Sequence, residues 1–526
     1  MEISRREFVK TGASLACAGM AVSESRLEHS AMTAVNNSKI NVLLIHVDQQ
    51  RIECLGAYGN PDIKTPHIDR LAEEGVRYEQ SFCPYPICTP SRYSLLSGLY
   101  VHDHRGWDNH CTLAPDIPTF PRLLREAGYA TQAVGKMHFT PTYLDVGFDV
   151  MYLAEQDGPG RWDDDYHRAL MEAGLADIND LEDQRREYRR NARPAYWETF
   201  GALPSNLPEK WHSTTWIGDR VVDAIDSWAD AGNLLMAGFI KPHHPFDPPP
   251  NLADAHDPDR LELLPGWTEA CLPHDIALHG GYFPHERLHE KALRRIMAYY
   301  YATIEHIDAQ VGRMIDLLKR KGLYDNTLII FTGDHGEYMG FHHLLLKGNH
   351  LYDPVVKVPL IIKYPAGATV SGGRVSHALV NNIDLAPTIL AQAGIAPAAG
   401  MTGHNLAQTD ASHDVVFCEH LRGDQVMART RTHKLICSRQ HDYMLFYDLE
   451  EDPNEMNNRV DDPACRDAVA MLEAAAEAWR PRTLRPETHL DYDAPVICRP
   501  NVPPRDNSHR AAIAAWYDAK MQDALG

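Results

Sequence analysis

Positive charge is in short supply in this chain. Its 51 Lys and Arg stand against 72 Asp and Glu, a formal net charge of −21 at pH 7. A protein that grips nucleic acid needs a basic face, and one that adheres to an anionic membrane needs a basic patch, so neither is expected as a partner. Long hydrophobic runs are also missing. Nothing approaches the ~20 apolar residues of a membrane-spanning helix, the short N-terminal apolar run included, and there is no internal repeat or low-complexity tract. What is present is ordinary globular material, 44% hydrophobic and 23% charged. The 526 residues correspond to roughly three or four average domains, or to one large α/β unit with a smaller companion. On so acidic a chain, an anionic substrate would need a locally positive pocket.

The N-terminus reads as a targeting segment. Ser4-Arg5-Arg6-Glu7-Phe8-Val9-Lys10 precedes the short apolar run TGASLACAGMAV, a charged start followed by a modest apolar stretch and small residues. The arginine pair with Phe8 and Lys10 resembles a twin-arginine signal. Residues 1–35 are therefore set apart, with the twin-arginine export machinery as partner and a periplasmic or secreted destination. Cys17 raises lipoprotein anchoring, although Ser14 stands where such signals carry an aliphatic residue. Ten cysteines occur in all. Apart from Cys17 and Cys88, eight remain, an even number that permits disulfides in an exported protein without fixing their pairing.

Taken in order, the chain alternates apolar strands with helices, and several strands end in chemistry. Lys39–Asp48 is an apolar run ending in a carboxylate, and reads as a buried parallel strand. Residues 65–78 read as a helix capped by Thr65, and 118–128 as a second. YATQAVGKMHF is a strand with Lys136 and His138 at its end. NLLMAGFI leads into KPHHPFDPPP, so His243 and His244 again follow a strand. Residues 286–322 read as a long helix pair. NTLIIFTGDHGEYMG repeats the opening design with Asp334-His335, KVPLIIKYP is a further strand, and VNNIDLAPTILAQAGI reads as a helix closing the large domain at about residue 400. Residues 150–215 are polar and aromatic with weak periodicity, an insertion expected to select substrate. From 401 to 526 short alternating segments predict a small antiparallel sheet, with helices over 464–480 and 508–524.

In a doubly wound sheet, ligands collect beyond the strands' carboxyl ends. Asp48, Lys136/His138, His243 and Asp334/His335 would then meet. Two aspartates with an imidazole or amide can hold a divalent cation. Oxygen donors favour Ca²⁺ or Mg²⁺, and an imidazole tilts the choice toward Mn²⁺ or another transition metal. Arg92, Lys136 and Lys347 add positive charge, making a pocket for a tetrahedral anion. Near them runs Cys88-Thr89-Pro90-Ser91-Arg92, a turn opening a helix, with Ser91 as a cap. Alone, Cys88 reads as a buried structural cysteine, and each of the other residues has an equally plain role as cap, core or surface group.

The ordered set changes that reading. Asp48, Cys-x-Pro-Ser-Arg at 88–92, Gly135-Lys136-Met137-His138, His243-His244-Pro245, Asp334-His335-Gly336-Glu337 and Lys347 resemble the type I, formylglycine-dependent sulfatases of the alkaline phosphatase superfamily. Lys241–Phe246 looks like the iduronate-2-sulfatase branch of glycan sulfatases. The resemblance runs from about residue 38 to 460 and includes FYDLEEDPNEMNN. It implies an α/β fold, alkaline-phosphatase-like: a large mixed, mostly parallel sheet between helices over 36–400, with a small C-terminal antiparallel-sheet subdomain over 401–526.

The implied activity is hydrolysis of a sulfate ester, expected on a sulfated carbohydrate, to alcohol and inorganic sulfate. The resemblance further implies that a formylglycine-generating enzyme oxidises Cys88 to an aldehyde, which is hydrated to a diol. One hydroxyl attacks sulfur. His243 or Lys347 assists the leaving alcohol, His138 takes the second hydroxyl's proton, and Arg92 and Lys136 orient the diol. Asp48, Asp334, His335 and residue 88 ligate one divalent cation, Ca²⁺ first with Mg²⁺ or Mn²⁺ as alternatives, and Gln49 is a further candidate ligand.

Gln49 is also a departure, since many sulfatases carry a second aspartate there. Asp48-Gln49 resembles the phosphonate and phosphate monoester hydrolases of the same superfamily, and Asn109 matches a residue they use. Those hydrolases carry Tyr and Thr where this chain has Lys136 and His138, which favours the sulfatase reading. Asn109 and His104 are candidate substrate contacts, and His102, His342 and His343 are loop or pocket residues. A non-catalytic glycan-binding relative would show erosion of Cys-x-Pro-Ser-Arg or of the metal aspartates; both are intact.

Overall fold

A computed structural model describes residues 39–156, 164–278, 282–370, 372–408, 411–481, 486–488 and 507–525. The expected signal segment over residues 1–35, with Cys17, and Cys498 lie outside the described residues. The first strand, β1 (Asn41–Asp48), shows why the large sheet lies inside: all eight of its residues are buried. Successive side chains of a strand point to opposite faces. Leu43, Ile45 and Val47 pack with Ile217 and Val221 of the Ser213–Asp226 helix and with Ile296, Ile304 and Val311 of the Glu290–Arg320 helix. Val42 and Leu44 share the other core cluster with Leu95 and Leu96 of the Cys88–Ser97 helix and with Phe120 and Ile389.

The remaining strands of this sheet are β2 (Val76–Phe82), β3 (Ala130–Gly135), β4 (Val150–Leu153), β5 (Asn233–Pro242), β6 (Thr327–Gly333), β7 (Leu360–Lys363) and β8 (Arg374–Asn381). Their spatial order is β4-β3-β5-β1-β6-β7-β2-β8. Strand β7 is antiparallel to β6 and β2, and the other neighbours are parallel. The expected mixed, mostly parallel sheet is therefore present, with helices on both faces.

Several elements differ from the sequence reading. The stretch 65–78 is a helix only over Pro66–Glu74, and Val76 begins β2. Gly75 marks the change: its N–H closes the helix on Leu71 O at 2.8 Å, and a Cβ there would meet Ile362 O of β7 at 2.6 Å. Thr65 makes no cap bond; its hydroxyl donates to Asp69 and accepts from the Gly56 N–H. The expected helix pair over 286–322 is one helix of 31 residues. Gly312 is no break in it, because it lets the ring of His67 lie 2.7 Å from where its Cβ would stand. Val380 and Asn381 end strand β8, after which an Asn381/Asp384 capping box starts the chain toward the Leu385–Gln392 helix.

The small sheet is a meander of β9 (Val416–His420), β10 (Gln425–Arg429), β11 (His433–Ser438) and β12 (Tyr443–Asp448). One face packs toward Phe82, Val355 and Val358 of the large domain, and the other carries the Arg466–Trp479 helix. The last helix, Asn507–Leu525, does not join this sheet. Ile513, Tyr517 and Met521 pack on Leu181 and Ala176 of the 150–215 segment. Among the described residues all eight cysteines are free and buried.

A buried ionic knot ties the small sheet to the large domain. Lys434 reaches Glu455 at 2.6 Å and Asp353 at 3.0 Å, while Arg429 pairs with Asp353 at 2.8 Å. Lys434 and Glu455 are both fully buried. Removing one partner of such a set strands a charge in the interior, at about 3–5 kcal/mol. Lys434→Met is expected to lower the urea-unfolding free energy by about that amount, and adding Glu455→Gln to recover part of it. Equal stability of Lys434→Met and the parent would show that the knot holds nothing.

Candidate active site

Four adjacent strands, β3-β5-β1-β6, deliver their carboxyl ends to one edge of the sheet. Two glycines allow the crowding. A Cβ on Gly135 (φ +89°) would lie 2.0 Å from Gly238 O, and one on Gly238 would lie 2.1 Å from Lys136 O. The backbones of β3 and β5 thus approach closely where Lys136 emerges. Gln49 and His138 follow strand ends with positive φ of 62° and 58°, side-chain-bearing residues held in the left-handed region. Such placement is common where a site dictates the backbone.

The Cys88–Ser97 helix is buried at every residue. Its N-terminus is capped from outside: the Thr89 N–H donates to Asn109 Oδ1 at 3.1 Å. Ser91, expected as the cap, instead donates its hydroxyl to Asp334 O at 2.6 Å, locking the helix to the end of β6. The Thr89 hydroxyl donates to His138 O at 2.7 Å, locking it to the end of β3. One turn in from Cys88, the Arg92 guanidinium is completely buried. It donates from Nε to Asp334 Oδ2 at 2.9 Å, from Nη2 to Asp48 Oδ2 at 3.0 Å and from Nη1 to Lys136 O at 2.7 Å.

Around Cys88 the donors and charges converge. Its Sγ lies 3.2 Å from His335 Nε2, 3.2 Å from Lys347 Nζ and 3.6 Å from Asp48 Oδ1. Lys136 Nζ pairs with Asp48 Oδ2 at 2.8 Å and donates to Gln156 Oε1 at 2.9 Å. The ligand atoms of Asp48, Cys88, Asp334 and His335 all lie within 4.8 Å of one another, and all four residues are buried. His335 Nδ1 is 3.0 Å from Gly336 O. A carbonyl only accepts, so Nδ1 carries the proton and the Nε2 lone pair faces the cluster.

The electrostatics follow from burial opposed by charge. Burial works to raise the Asp48 carboxyl, but Lys136, His243, Lys347 and Arg92 outweigh it and hold the group well below the usual carboxylate range. Burial, with the Asp48 charge beside it, pushes the Cys88 thiol up to about 12. Burial, with Lys347 beside it, takes His335 down to about 4 despite its aspartates. The site thus presents ionised carboxylate, neutral imidazole and unionised thiol. A hard divalent cation takes that oxygen-rich donor set, with one imidazole. The residues present therefore fit a metal ion; its identity is not fixed by them.

Of the residues singled out from sequence, Asp48, Cys88, Arg92, Lys136, Asp334, His335 and Lys347 come together directly. Gln49 joins them through its side chain. Its amide donates to Glu337, and its Oε1 accepts from Lys347 Nζ at 2.8 Å. His138 is buried, neither ring nitrogen has a hydrogen-bond partner among the described residues, and burial plus Lys136 holds it well below the ordinary histidine range. His243 Nδ1 faces His244 O at 2.6 Å, so its proton is spent there and Nε2 is an acceptor. Burial, Lys347, His244 and Lys136 keep that ring neutral. Asn109 acts as a helix cap beside Cys88. The His104 ring is engaged with Ser94 Oγ at 2.9 Å and the Gly106 N–H at 3.1 Å, inside the fold. His342 and His343 brace loops through Asp275 and Thr268 O.

Three carboxylates support the site in roles the sequence did not assign. Glu155, with its pKa raised to about 8 by burial, accepts from the Met137 and His138 N–H groups. Glu337 accepts from the Met339 and Leu346 N–H groups and so shapes the loop that presents Lys347. Asp183, from the 150–215 segment, accepts from His244 at 2.5 Å. Glu337 was legible as the last residue of Asp-His-Gly-Glu; the other two sit in unpatterned sequence.

The comparisons with known proteins agree with this geometry. The family described as sulfatase matches residues 40–395, and one described as N-sulphoglucosamine sulphohydrolase, C-terminal, matches 340–481. An arylsulfatase of Clostridium perfringens is 29% identical over 468 residues, covering 82% of this chain and 93% of that protein. An N-acetylglucosamine-6-O-sulfatase of Bacteroides thetaiotaomicron is 27% identical over 470 residues, covering 80% and 82%. The solved phosphonate monoester hydrolase of Agrobacterium radiobacter shares the fold, with a TM-score of 0.71 at 24% identity over 84% of this chain and 96% of that one. The chain belongs to the sulfatase family and is a sulfuric ester hydrolase.

Proposed function

We propose that this enzyme releases inorganic sulfate from a sulfated carbohydrate, with residue 88 acting as the aldehyde made from Cys88 and then hydrated. The observation that carries the reading is the convergence of Asp48, Cys88, Asp334 and His335 within 4.8 Å, flanked by Lys136 and Lys347. A thiol held up at about 12 is a weak nucleophile at neutral pH. A hydrated aldehyde at the same position has one hydroxyl to attack sulfur and a second whose deprotonation expels sulfate. Asp48, Asp334, His335 and residue 88 would hold the divalent cation. When bound it supplies Lewis-acid stabilisation of charge on the sulfate oxygens. The choice of a sugar rests on the relatives of Lys241–Phe246 and on the N-acetylglucosamine-6-O-sulfatase match.

The remaining roles follow from which groups hold a proton. His243 is neutral with Nε2 unprotonated, so it accepts rather than donates, and Lys347, 3.2 Å from residue 88, is the donor to the leaving alcohol. His138, neutral and with no hydrogen-bond partner on its ring among the described residues, is the base for the second hydroxyl. Arg92 spends its fork on Asp48, Asp334 and Lys136 O and positions the carboxylates. Export by the twin-arginine route to the periplasm or beyond, and modification by a formylglycine-generating enzyme before it, complete the proposal.

Two outcomes test it. Native protein is expected to release sulfate from sulfated sugars faster than phosphate from phosphate or phosphonate monoesters, and to lose activity on metal depletion and regain it with Ca²⁺. Preference for the phosphorus esters would favour the hydrolases that share Asp48-Gln49 and Asn109. Lys347→Ala is expected to cost about 10²–10⁴-fold in kcat on a sugar sulfate, whose alkoxide must be protonated, and much less on 4-nitrophenyl sulfate. Equal losses on both substrates would remove Lys347 as the proton donor.

A further inference from the structure

The observation concerns the mouth of the site and rests on the sulfate-ester reading above. A cavity of about 520 Å³ opens at Lys347, whose ammonium lies 3.2 Å from Cys88 Sγ. Its walls carry Arg186, Arg189, Arg190, Trp197 and Tyr282. Among the described residues no Asp or Glu lines it, in a chain with a net charge of −21. A cluster of one sign against the overall charge costs self-repulsion unless something of opposite sign occupies it.

Two of the three guanidinium groups are left unused within the fold. Arg189 is the most engaged of the three: it lies over the Tyr282 ring at 4.0 Å, interacts with the Tyr282 hydroxyl, and makes a long bond, 3.4 Å, to Asp183 O, with the Asp183 charge close by. Arg186 and Arg190 are exposed, and among the described residues no hydrogen bond or ion pair engages the guanidinium of either; their backbones bond only within the short Arg186–Arg189 helix. The wall beneath them is firm by contrast. The Tyr282 hydroxyl donates to Asp183 O at 2.9 Å, and Asp183 holds the His244 ring at 2.5 Å. The aromatic faces of Trp197 and Tyr282 suit the apolar face of a pyranose ring.

A single sulfate at residue 88 is already met by Lys136 and Lys347. It gives Arg186, Arg189 and Arg190 nothing to bind. Guanidinium forks match oxyanions such as carboxylate and sulfate in bidentate fashion, and the cavity volume is that of a site for a molecule much larger than sulfate. The geometry points to a substrate carrying a second oxyanion: a sugar sulfate whose own or adjacent ring bears a carboxylate or another sulfate, gripped by the arginines of the 150–215 segment while the scissile group sits at residue 88.

The test is kcat/KM of the native enzyme and of Arg186→Ala/Arg190→Ala on four substrates: 4-nitrophenyl sulfate, a neutral sugar monosulfate, a sulfated uronate disaccharide and a disulfated disaccharide. The parent is expected to prefer one or both dianionic sugars over the neutral one. The double variant is expected to lose about 10- to 100-fold on them, mainly in KM, and at least tenfold less on 4-nitrophenyl sulfate. The dianionic sugar with the larger loss identifies the second group as carboxylate or sulfate. Equal turnover of neutral and dianionic sugar sulfates by the parent, or equal losses on all four substrates in the variant, would overturn the inference. Turnover of phosphate esters with none of the four sulfates would overturn the sulfate-ester reading itself and this inference with it.

Discussion

Everything at the sheet edge depends on one buried guanidinium. Asp48 and Asp334 end neighbouring parallel strands, and two ionised carboxylates that close would repel and raise each other's pKa in a dry interior. Arg92 stands between them, donating to both, and its third donor takes Lys136 O. It thereby ties the ends of β1, β6 and β3 to the first turn of the helix that begins at Cys88. A buried pair is not strongly stabilising in itself, since desolvation offsets the attraction. Its use here is positional: carboxylates that are charged, fixed and still able to turn a second oxygen toward a cation. Lys and Arg are not interchangeable in that role, because only a planar fork reaches three acceptors on three strands.

Around this clamp the site is built in layers of hydrogen-bonded carboxylates. Glu155 fixes the backbone that carries His138, Glu337 fixes the loop that carries Lys347 and holds Gln49, and Asp183 fixes His244 against His243. Each leaves a cation or a neutral imidazole pointing inward. A chain that is acidic overall therefore presents a reacting centre dominated by Arg92, Lys136 and Lys347, which is what a tetrahedral anion requires.

Much of this was legible before the structure, because parallel strands buried on both faces read as apolar runs and their ends mark the ligand edge. Asp48, Lys136, His243 and Asp334 could be placed on one edge from that rule alone. What escaped has physical reasons. Strand β2 begins at Val76 in helical phase with Ile68 and Leu71, so the change of period at Gly75 is invisible without the close approach of β7. Strand β8 is an edge strand whose first residues are exposed or half-buried, and it lacks an apolar run. The 150–215 segment showed weak periodicity because its helices are short and several bury polar residues, Asp180, Glu182 and Asp183 among them. The terminal helix covers that segment rather than the small sheet, a long-range choice that no local pattern encodes.

The most direct measurement is the mass of the peptide spanning residues 83–92, isolated from the native host. The account predicts that it is lighter than the unmodified peptide by about 18 Da, the exchange of CH2–SH for an aldehyde at residue 88. An intact Cys88 thiol in fully active enzyme would contradict the account.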